Sequence, residues 1–235
     1  MSVVALVQAR MGSARLPGKV LMDIAGEPMI AHVMRRVRLA KEVDAAVLCL
    51  SDAPEDAPLV AWATRAGIAY RIGHGVATED VLGRLAVCVR YPCFSDWADT
   101  VLVRVTGDCP LIDPGLVDSA IRAYRGASRP FGLSDIFVDG SESAGFVDGL
   151  DVEVFTAGML TRAADVTGDA TDREHVTPWM RRHYPVHMCR APSGMTGVRK
   201  WSVDTQDDLD FVRSVYARLG PGNFGYREVL ALWAR

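Results

Sequence analysis

Short apolar runs alternate along the first part of the chain with segments in which apolar residues recur at helical spacing. The apolar runs predict β-strands at 3–7, 45–50, 68–72, 100–105 and 150–155. The helical spacing predicts α-helices at 27–40, 57–67, 78–90 and 113–125. Because the strands are almost entirely apolar and helices separate them, the pattern predicts an α/β fold with a mostly parallel sheet sandwiched by helices.

The pattern loosens after residue 126. Gly, Ser and Asp are frequent at 126–149, which predicts loops or a hairpin insertion. Further along, the chain predicts helices at about 157–165, 172–183 and 206–219, and strands at 186–191 and 200–203. The chain has no internal repeat, so residues 1–235 are predicted to form one domain with a small arm or hairpin insertion at about 126–149.

Several polar residues stand where helices are expected to begin. Thr78 precedes one predicted helix, and Asp113 precedes another whose first position is Pro114. Thr205 and Asp208 have the spacing of a capping box. A structural role accounts for these residues, but it does not account for Asp204, which directly follows the predicted strand 200–203.

Composition limits the class of protein and its partners. The 235 residues are 49% hydrophobic and 23% charged, with a net charge of −3, as in ordinary globular proteins. A general nucleic-acid or anionic-membrane binder would need a positive surface, so both classes are excluded. The five scattered cysteines predict reduced thiols rather than disulfides or a zinc site. We therefore expect a cytoplasmic protein without a secretory or membrane segment.

The first predicted strand is followed by a basic loop, "QARMGSARLPGK". Arg10, Arg15 and Lys19 supply donors for an anion, while Gly12 and Gly18 allow the backbone to approach it closely. The spacing matches neither GxGxxG nor the Walker pattern. Three solvated cations in an exposed loop are the alternative interpretation.

Two carboxylates follow other predicted strands. Asp108 lies in the turn "TGDCP" after strand 100–105, and Asp204 follows strand 200–203. Carboxylates at the carboxyl ends of strands can hold Mg²⁺, which prefers oxygen ligands and bridges to phosphate. A plain glycine turn explains Asp108 equally well on its own. Together with the basic loop, the two carboxylates indicate a nucleoside triphosphate bound with Mg²⁺.

The motifs "QARMGSARLPGKVL", "GDCPLIDP", "DGLDVEVF", "DREHVTP" and "VDTQDDL" occur in this order and cover nearly the whole chain. In this respect the sequence resembles the cytidylyltransferases of the spore-coat polysaccharide biosynthesis protein F type, relatives of the CMP-Kdo and CMP-sialic acid synthetases. The resemblance implies a Rossmann-like nucleotide-diphospho-sugar transferase fold, often a homodimer. It also implies an enzyme that joins CMP from CTP to a sugar, usually a sugar acid, and releases pyrophosphate.

The resemblance also implies roles for particular residues. The Mg²⁺ ligands would be Asp108 and Asp204, and a looser match at 78–84 places base and ribose contacts at Thr78, Asp80 and Arg84. The triphosphate loop would comprise Ala9, Arg10, Gly12, Ser13, Arg15 and Lys19. CMP-Kdo synthetases carry Gln where this chain has Thr106, so Kdo itself is not the implied acceptor.

The acceptor side is less sharply defined. The motif "DREHVTP", with Arg173, Glu174 and His175, belongs to the spore-coat-type branch and implies contacts with the acceptor. Asp151 and Glu153 alternate along a strand, so both point to one face. They could bind sugar hydroxyls, assist the metal or form an exposed face. His175 is the candidate proton acceptor near the attacking hydroxyl.

The resulting hypothesis is a cytidylyltransferase in which the acceptor hydroxyl attacks the α-phosphorus of CTP in line. Lys19, Arg10 and Arg15 would offset charge on the leaving pyrophosphate, and Mg²⁺ would polarise the α-phosphate. Two enzymes of the same fold stay open as alternatives: a glycosyltransferase using a finished sugar nucleotide, and a sugar-1-phosphate nucleotidyltransferase. A non-catalytic nucleotide-binding protein is the alternative from another class.

Overall fold

The computed structural model describes residues 2–90, 99–128, 136–195 and 198–233. Among them, the strands are β1 (Val3–Gln8), β2 (Asp23–Ile24), β3 (Glu27–Pro28), β4 (Ala45–Ser51), β5 (Tyr70–Gly73), β6 (Val101–Thr106), β7 (Phe137–Gly140), β8 (Val152–Thr156) and β9 (Val186–Met188). The α-helices are α1 (Met29–Arg38), α2 (Ala57–Arg65), α3 (Val81–Arg90), α4 (Pro114–Ser128), α5 (Ala157–Val166), α6 (Ala170–His175), α7 (Pro178–His183), α8 (Gln206–Leu219) and α9 (Tyr226–Ala231).

The central sheet is mostly parallel, as predicted. Its strand order within the described residues is β5-β4-β1-β6-β8-β7-β9. Strands β5, β4, β1 and β6 run parallel to one another. Strand β8 is antiparallel to both β6 and β7, and β9 is parallel to β7. The carboxyl ends of β1 and β6 are therefore adjacent at one edge of the sheet.

Alternate residues of β1 show why helices cover both faces of this sheet. Val3, Ala5 and Val7 pack into one apolar cluster with side chains of α1, α4 and α8. Val4 and Leu6 pack into a second cluster with side chains of α3 and α5. Successive strand residues point to opposite faces, so an almost wholly apolar strand needs a cover on each. Among the described residues, no helix has the length and apolar character needed to cross a membrane.

Residues 200–203 are not a strand, which corrects the prediction for this segment. Strand β6 already pairs with β1 on one side and β8 on the other, so no edge beside it is left for another strand. Single backbone hydrogen bonds hold the segment instead. The amide of Trp201 donates to Asp148 O (2.7 Å), and the amide of Val203 donates to Asp108 O (2.9 Å). The second bond brings Asp204 to the end of β6.

The segment 172–183, predicted as one helix, forms the two short helices α6 and α7. Between them Val176 has φ 73°, in the left-handed region. The amide of Thr177 donates to the carbonyl of His175 (2.9 Å) across this tight turn. Positive φ is rare for a β-branched residue, so helical spacing alone gave no sign of the break.

The segment 126–149 is only partly irregular. Helix α4 extends to Ser128, and residues 129–135 lie outside the described part. Residues 137–140 form β7, a buried strand that pairs with β8 and β9. Four residues predicted as loop or hairpin insertion thus belong to the central sheet. The homodimer that the resemblance implies stays a prediction.

Two of the predicted helix caps are confirmed and one is wrong. The amide of Leu116 donates to Asp113 Oδ1 (2.9 Å), and both hydrogen bonds of the Thr205–Asp208 capping box are present. Thr78 does not cap α3, because that helix begins at Val81. The carboxylate of Asp80 accepts from the amide of Gly83 (2.8 Å) and takes the capping role.

The thiols match the prediction of unpaired cysteines. Cys49, Cys88 and Cys109 are free and buried, and Cys189 is free and half-buried. Cys93 lies outside the described residues. In the part of the chain that the structure describes, no cysteine forms a disulfide.

Candidate active site

A cavity of about 420 Å³ opens at the carboxyl ends of β1 and β6. Its walls come from the loops after these strands, the start of α3 and the end of α6. The cavity is lined by most of the residues that the sequence nominated: Ala9, Arg10, Gly12, Ser13, Arg15, Lys19, Arg84, Asp108, Glu174, His175 and Asp204. The fold therefore brings five distant parts of the chain to one place.

Five other nominated residues do not line the cavity: Thr78, Asp80, Asp151, Glu153 and Arg173. Asp80 pairs with Arg173 (2.6 Å), which also donates to two backbone carbonyls. Asp151 accepts from the amides of Gly149 (3.0 Å) and Glu142 (2.9 Å). These side chains bind neighbouring parts of the protein.

The basic loop after β1 is held in a compact turn. The carbonyl of Met11 accepts from the amides of Ser13 (3.0 Å) and Gly18 (2.9 Å). Gly18 has φ 72°, a conformation that strains other residues. The neighbouring loop after β6 approaches closely through Gly107, where an added Cβ would lie 2.8 Å from the Cβ of Ala9. Both glycines are required for this packing.

A buried carboxylate, not nominated from the sequence, anchors the basic loop. Asp56 is 1% exposed, and its Oδ1 accepts from the amide of Met11 (2.6 Å). Its Oδ2 accepts from the hydroxyl and amide of Ser51, at the end of β4. In the sequence, Asp56 stands out only as an acidic residue shortly after an apolar strand. Acidic residues are also common at the start of a helix, so this pattern did not identify Asp56 as an anchor.

Replacing Asp56 with alanine is expected to lower the free energy of unfolding by about 3 kcal/mol, because buried donors lose a charged acceptor. Urea denaturation measures this change. The matched control is Glu55→Ala, since Glu55 is the exposed neighbour. Equal effects of the two substitutions would contradict the anchoring role of Asp56.

Lys19 lies between the two nominated metal ligands. Its Nζ donates to Asp108 Oδ2 (2.9 Å), Asp204 Oδ1 (3.0 Å) and the carbonyl of Val203 (2.6 Å). An ammonium group has three N–H donors, so the protein itself accepts from all of them. Lys19 was nominated as a phosphate ligand; here it bridges two aspartates.

Charge pairing shifts the pKa values of this cluster. Burial alone would lower the pKa of Lys19, but the negative charges of Asp108 and Asp204 outweigh it and raise that pKa. Burial alone would raise the pKa of Asp204, but hydrogen bonds from Lys200 and Lys19 lower it to about 2. Both groups are therefore charged at neutral pH.

Two guanidinium groups in the cavity wall have no acidic partner within ion-pair distance among the described residues. Arg84 is 2% exposed and donates to the carbonyl of Thr78 (3.1 Å), while its buried Nε has no partner. Arg10 reaches the same carbonyl at 3.5 Å. Burial lowers the pKa of Arg84. The charge of the buried Asp56 partly offsets this effect, and the charge of Arg10 adds to it. Two adjacent guanidinium groups without an ion-pair partner favour an anion in this part of the cavity.

Arg104 and Thr106 also line the cavity and were not nominated as site residues. They are two residues apart on β6, so they lie on the same face of the strand. The hydroxyl of Thr106 contacts Sγ of Cys109 at 2.9 Å. The signal for Arg104 was a single charge inside the apolar run "TVLVRV".

Comparison with known families and structures points to one enzyme class. The model of the cytidylyltransferase family matches residues 4–201. The spore coat polysaccharide biosynthesis protein SpsF of Bacillus subtilis is 29% identical, over 92% of this chain and 86% of that protein. A 3-deoxy-manno-octulosonate cytidylyltransferase of Anaeromyxobacter sp. is 30% identical, over 92% of this chain and 97% of its own length.

Solved structures share the fold. A cytidylyltransferase from Leptospira borgpetersenii superposes with a TM-score of 0.83 at 23% identity, covering 99% of this chain and 93% of its own. The CMP:2-keto-3-deoxy-manno-octonic acid synthetase complexed with CTP has a TM-score of 0.63 at 19% identity, covering 93% and 99%. The family match spans most of the chain and includes strands β1 and β6 with the loops that follow them, and the chain therefore belongs to the cytidylyltransferase family of nucleotidyltransferase enzymes.

Proposed function

We propose that this enzyme transfers CMP from CTP to a hydroxyl group of a sugar or sugar acid, in a Mg²⁺-dependent reaction that releases pyrophosphate. The observation that carries the proposal is the pairing of opposite charges within one cavity. The guanidinium groups of Arg10 and Arg84, which have no ion-pair partner among the described residues, stand in the same cavity as the carboxylates of Asp108 and Asp204. A site for a nucleoside triphosphate and a divalent cation needs both: guanidinium groups to bind the phosphates, and carboxylates to bind the cation.

The carboxylates fit Mg²⁺ by their chemistry and their positions. Asp108 Oδ2 and Asp204 Oδ1 each lie within 3.0 Å of the Lys19 ammonium nitrogen, so a cation already occupies the space between them. Among the described residues no group of three His, Cys, Asp or Glu could hold a metal. Two carboxylates completed by phosphate and water oxygens are a common Mg²⁺ environment. Mg²⁺, when bound, supplies Lewis-acid polarisation of the α-phosphate.

The chain's own residues bind, orient and accept a proton. The acceptor oxygen forms a bond to the α-phosphorus while the bond from that phosphorus to the bridging oxygen of pyrophosphate breaks. Arg10, Arg15 and Arg84 offset the charge of the phosphates and the leaving pyrophosphate. The exposed imidazole of His175, in the cavity wall, accepts the hydroxyl proton. Most of the rate enhancement then comes from positioning and charge neutralisation.

Replacing Arg84 with methionine is expected to separate binding from stability. The substitution removes a buried charge that has no ion-pair partner among the described residues, so the melting temperature should stay the same or rise. The affinity for CTP should fall by about tenfold or more, because a charged hydrogen bond to the nucleotide is lost. Thermal shift with and without CTP measures both effects.

The matched control for this prediction is Arg90→Met on the same helix. Arg90 is exposed and pairs with Asp165 (2.5 Å) away from the cavity. It should leave CTP affinity unchanged. A large drop in the melting temperature of Arg84→Met, with normal CTP affinity, would assign Arg84 a structural role instead.

The proposed reaction is tested by nucleotide-dependent stabilisation followed by pyrophosphate release. The purified protein is heated with CTP, UTP, dTTP, GTP and ATP, each with and without Mg²⁺. Selective stabilisation by CTP with Mg²⁺ supports the proposal. Preference for another triphosphate would indicate a sugar-1-phosphate nucleotidyltransferase. A response to finished sugar nucleotides alone would indicate a glycosyltransferase.

A further inference from the structure

Arg104 is a charged residue inside the apolar strand β6, and it is fixed on two sides. Its Nε donates to Gln8 Oε1 (2.8 Å), and its Nη1 donates to Glu153 Oε2 (2.5 Å). A guanidinium group has five N–H donors, and these contacts use two of them. The described residues offer no further acceptor to Arg104. The remaining donors belong to Nη1 and Nη2, at the tip of the side chain.

The tip of Arg104 is available to a ligand. The side chain is 13% exposed, and that exposure is to the cavity that Arg104 lines together with Thr106 and His175. Adjacent N–H groups on the two Nη atoms match the spacing of two oxygen atoms on one oxyanion. The geometry of the tip therefore favours a carboxylate or phosphate over a single hydroxyl.

Glu153 is the carboxylate that holds Arg104, and it is itself held on its other oxygen. Its Oε1 accepts from Thr177 Oγ1 (2.7 Å) and Arg181 Nη2 (2.8 Å). Arg181 also forms an ion pair with the buried Asp139. Burial alone would raise the pKa of Glu153, but the charges of Arg104 and Arg181 lower it, so the carboxylate is ionised at neutral pH. In this network the two positive charges of Arg104 and Arg181 balance the two negative charges of Glu153 and Asp139.

The same network supports the turn that carries His175. Thr177, which donates to Glu153, directly follows Val176 with its positive φ. A strained conformation at a β-branched residue persists only when its surroundings hold it in place. Because of this turn, α6 ends with Glu174 and His175 in the cavity wall. One buried carboxylate thus positions both Arg104 and the segment that bears the candidate base.

We propose that Arg104 binds a carboxylate group of the acceptor, and that Glu153 is the positioning residue for Arg104 and for the His175 turn. The proposal rests on the proposed function and names the residues of the same cavity that would hold the acid group of the acceptor. A carboxylate fits better than a phosphate for an electrostatic reason. Glu153 already balances the charge of Arg104, and Glu174 lines the same cavity, so a dianion would be repelled more strongly than a monoanion.

The acceptor class is tested with a panel of probes in the wild-type enzyme. The probes are 3-deoxy-manno-octulosonate, N-acetylneuraminate, the methyl ester of each, an uncharged hexose and a hexose 1-phosphate. Pyrophosphate release from CTP is measured for each probe, and CTP binding is measured separately. Turnover of an acid and at least tenfold weaker turnover of its ester supports the proposal.

The role of Arg104 is tested with Arg104→Gln and the conservative Arg104→Lys. For the accepted acid we expect Arg104→Gln to raise KM by about tenfold or more, with KM for CTP within twofold of wild type. Arg104→Lys should recover part of the loss, because it keeps the charge but not the paired N–H groups. Arg162→Gln is the control, since Arg162 is exposed and its side chain has no partner among the described residues.

Glu153→Gln tests the positioning role, and it should raise KM for the acid and lower kcat together, again with KM for CTP unchanged. If Glu153 had only a structural role, Glu153→Gln would lower the melting temperature without raising KM for the acid selectively over KM for CTP. An unchanged KM for the acid in Arg104→Gln would overturn the proposal.

Two further outcomes would overturn the carboxylate assignment, and a third would overturn the proposed function. Turnover of the hexose or of the hexose 1-phosphate, but of no acid, would overturn the carboxylate assignment. So would CTP binding with no acid turned over. Failure of CTP to bind at all would instead overturn the proposed function, because Arg104 is not part of the nucleotide wall formed by Arg10 and Arg84.

Discussion

Asp108→Ala is expected to lower kcat by at least about a hundredfold while the protein keeps its fold. Asp108 is half-buried at the end of β6, and its Oδ2 is one of the two carboxylate oxygens that converge on Lys19. Its loss removes one of the two carboxylates proposed to bind Mg²⁺. The backbone is held independently, because the hydrogen bond from Val203 goes to the Asp108 carbonyl. Steady-state pyrophosphate release at saturating Mg²⁺ measures the effect.

The control for this prediction is Asp207→Ala, an exposed carboxylate in the first turn of α8. It should leave kcat unchanged. Circular dichroism and thermal unfolding should show that Asp108→Ala is folded. Turnover of Asp108→Ala within tenfold of wild type would exclude Asp108 as a metal ligand.

Lys19→Met is expected to give a less stable protein that responds more strongly to Mg²⁺ than the wild type. Without the ammonium group, the half-buried carboxylates of Asp108 and Asp204 face each other with less compensation, and the loss of such a charged hydrogen-bond partner costs about 1–3 kcal/mol. The melting temperature should therefore fall. Added Mg²⁺, without nucleotide, should raise it more than in wild type, because a divalent cation can enter the space that Lys19 leaves.

The measurement is thermal unfolding of wild type and Lys19→Met with increasing Mg²⁺, alongside pyrophosphate release. Lys200→Met is the matched control, since Lys200 also pairs with Asp204 (2.8 Å) but does not line the cavity. Its response to Mg²⁺ should equal that of wild type. The same Mg²⁺ response in all three proteins would show that Lys19 does not compete with a metal ion.

Charge compensation divides the cavity into parts with different tasks. Arg10 and Arg84 have no carboxylate partner among the described residues, so their charge is available to a strongly anionic group. Arg104 is already balanced by Glu153, so its tip offers directed hydrogen bonds with little net charge. Lys19 is fully engaged by two aspartates and a carbonyl. A chain with net charge −3 can therefore still present a small local excess of positive charge.

The site was partly foreseeable from local patterns. The basic loop after β1 and the turn holding Asp108 after β6 were expected at the same sheet edge, because ligands bind beyond the carboxyl ends of parallel strands. The structure brings both into one cavity. Asp204 also lines this cavity, but it does not follow a strand as the sequence had predicted. A backbone hydrogen bond from Val203 to Asp108 positions it, not a strand.

Other nominated residues have partners within the protein, so their predicted ligand contacts stay predictions. Asp80 and Arg173 were nominated as ligand contacts, but they pair with each other across 93 residues of sequence. Thr78 contributes its carbonyl group instead of its side chain. The buried anchor Asp56 and the cavity residue Arg104 were missed, because each becomes distinctive only through contacts made by distant residues.

Periodicity, turn residues and charge spacing act over a few residues, and they were sufficient for the α/β class, most helices and strands, and the approximate place of the site. The break at Val176 and the absence of a strand at 200–203 depended on packing. The hydrogen bond between Thr177 and Glu153 holds the turn at Val176. No strand forms at 200–203 beside β6, because β1 and β8 already occupy both sides of β6. Burial and partner choice are properties of the assembled chain, so the charge state and task of each side chain emerged only with the folded protein.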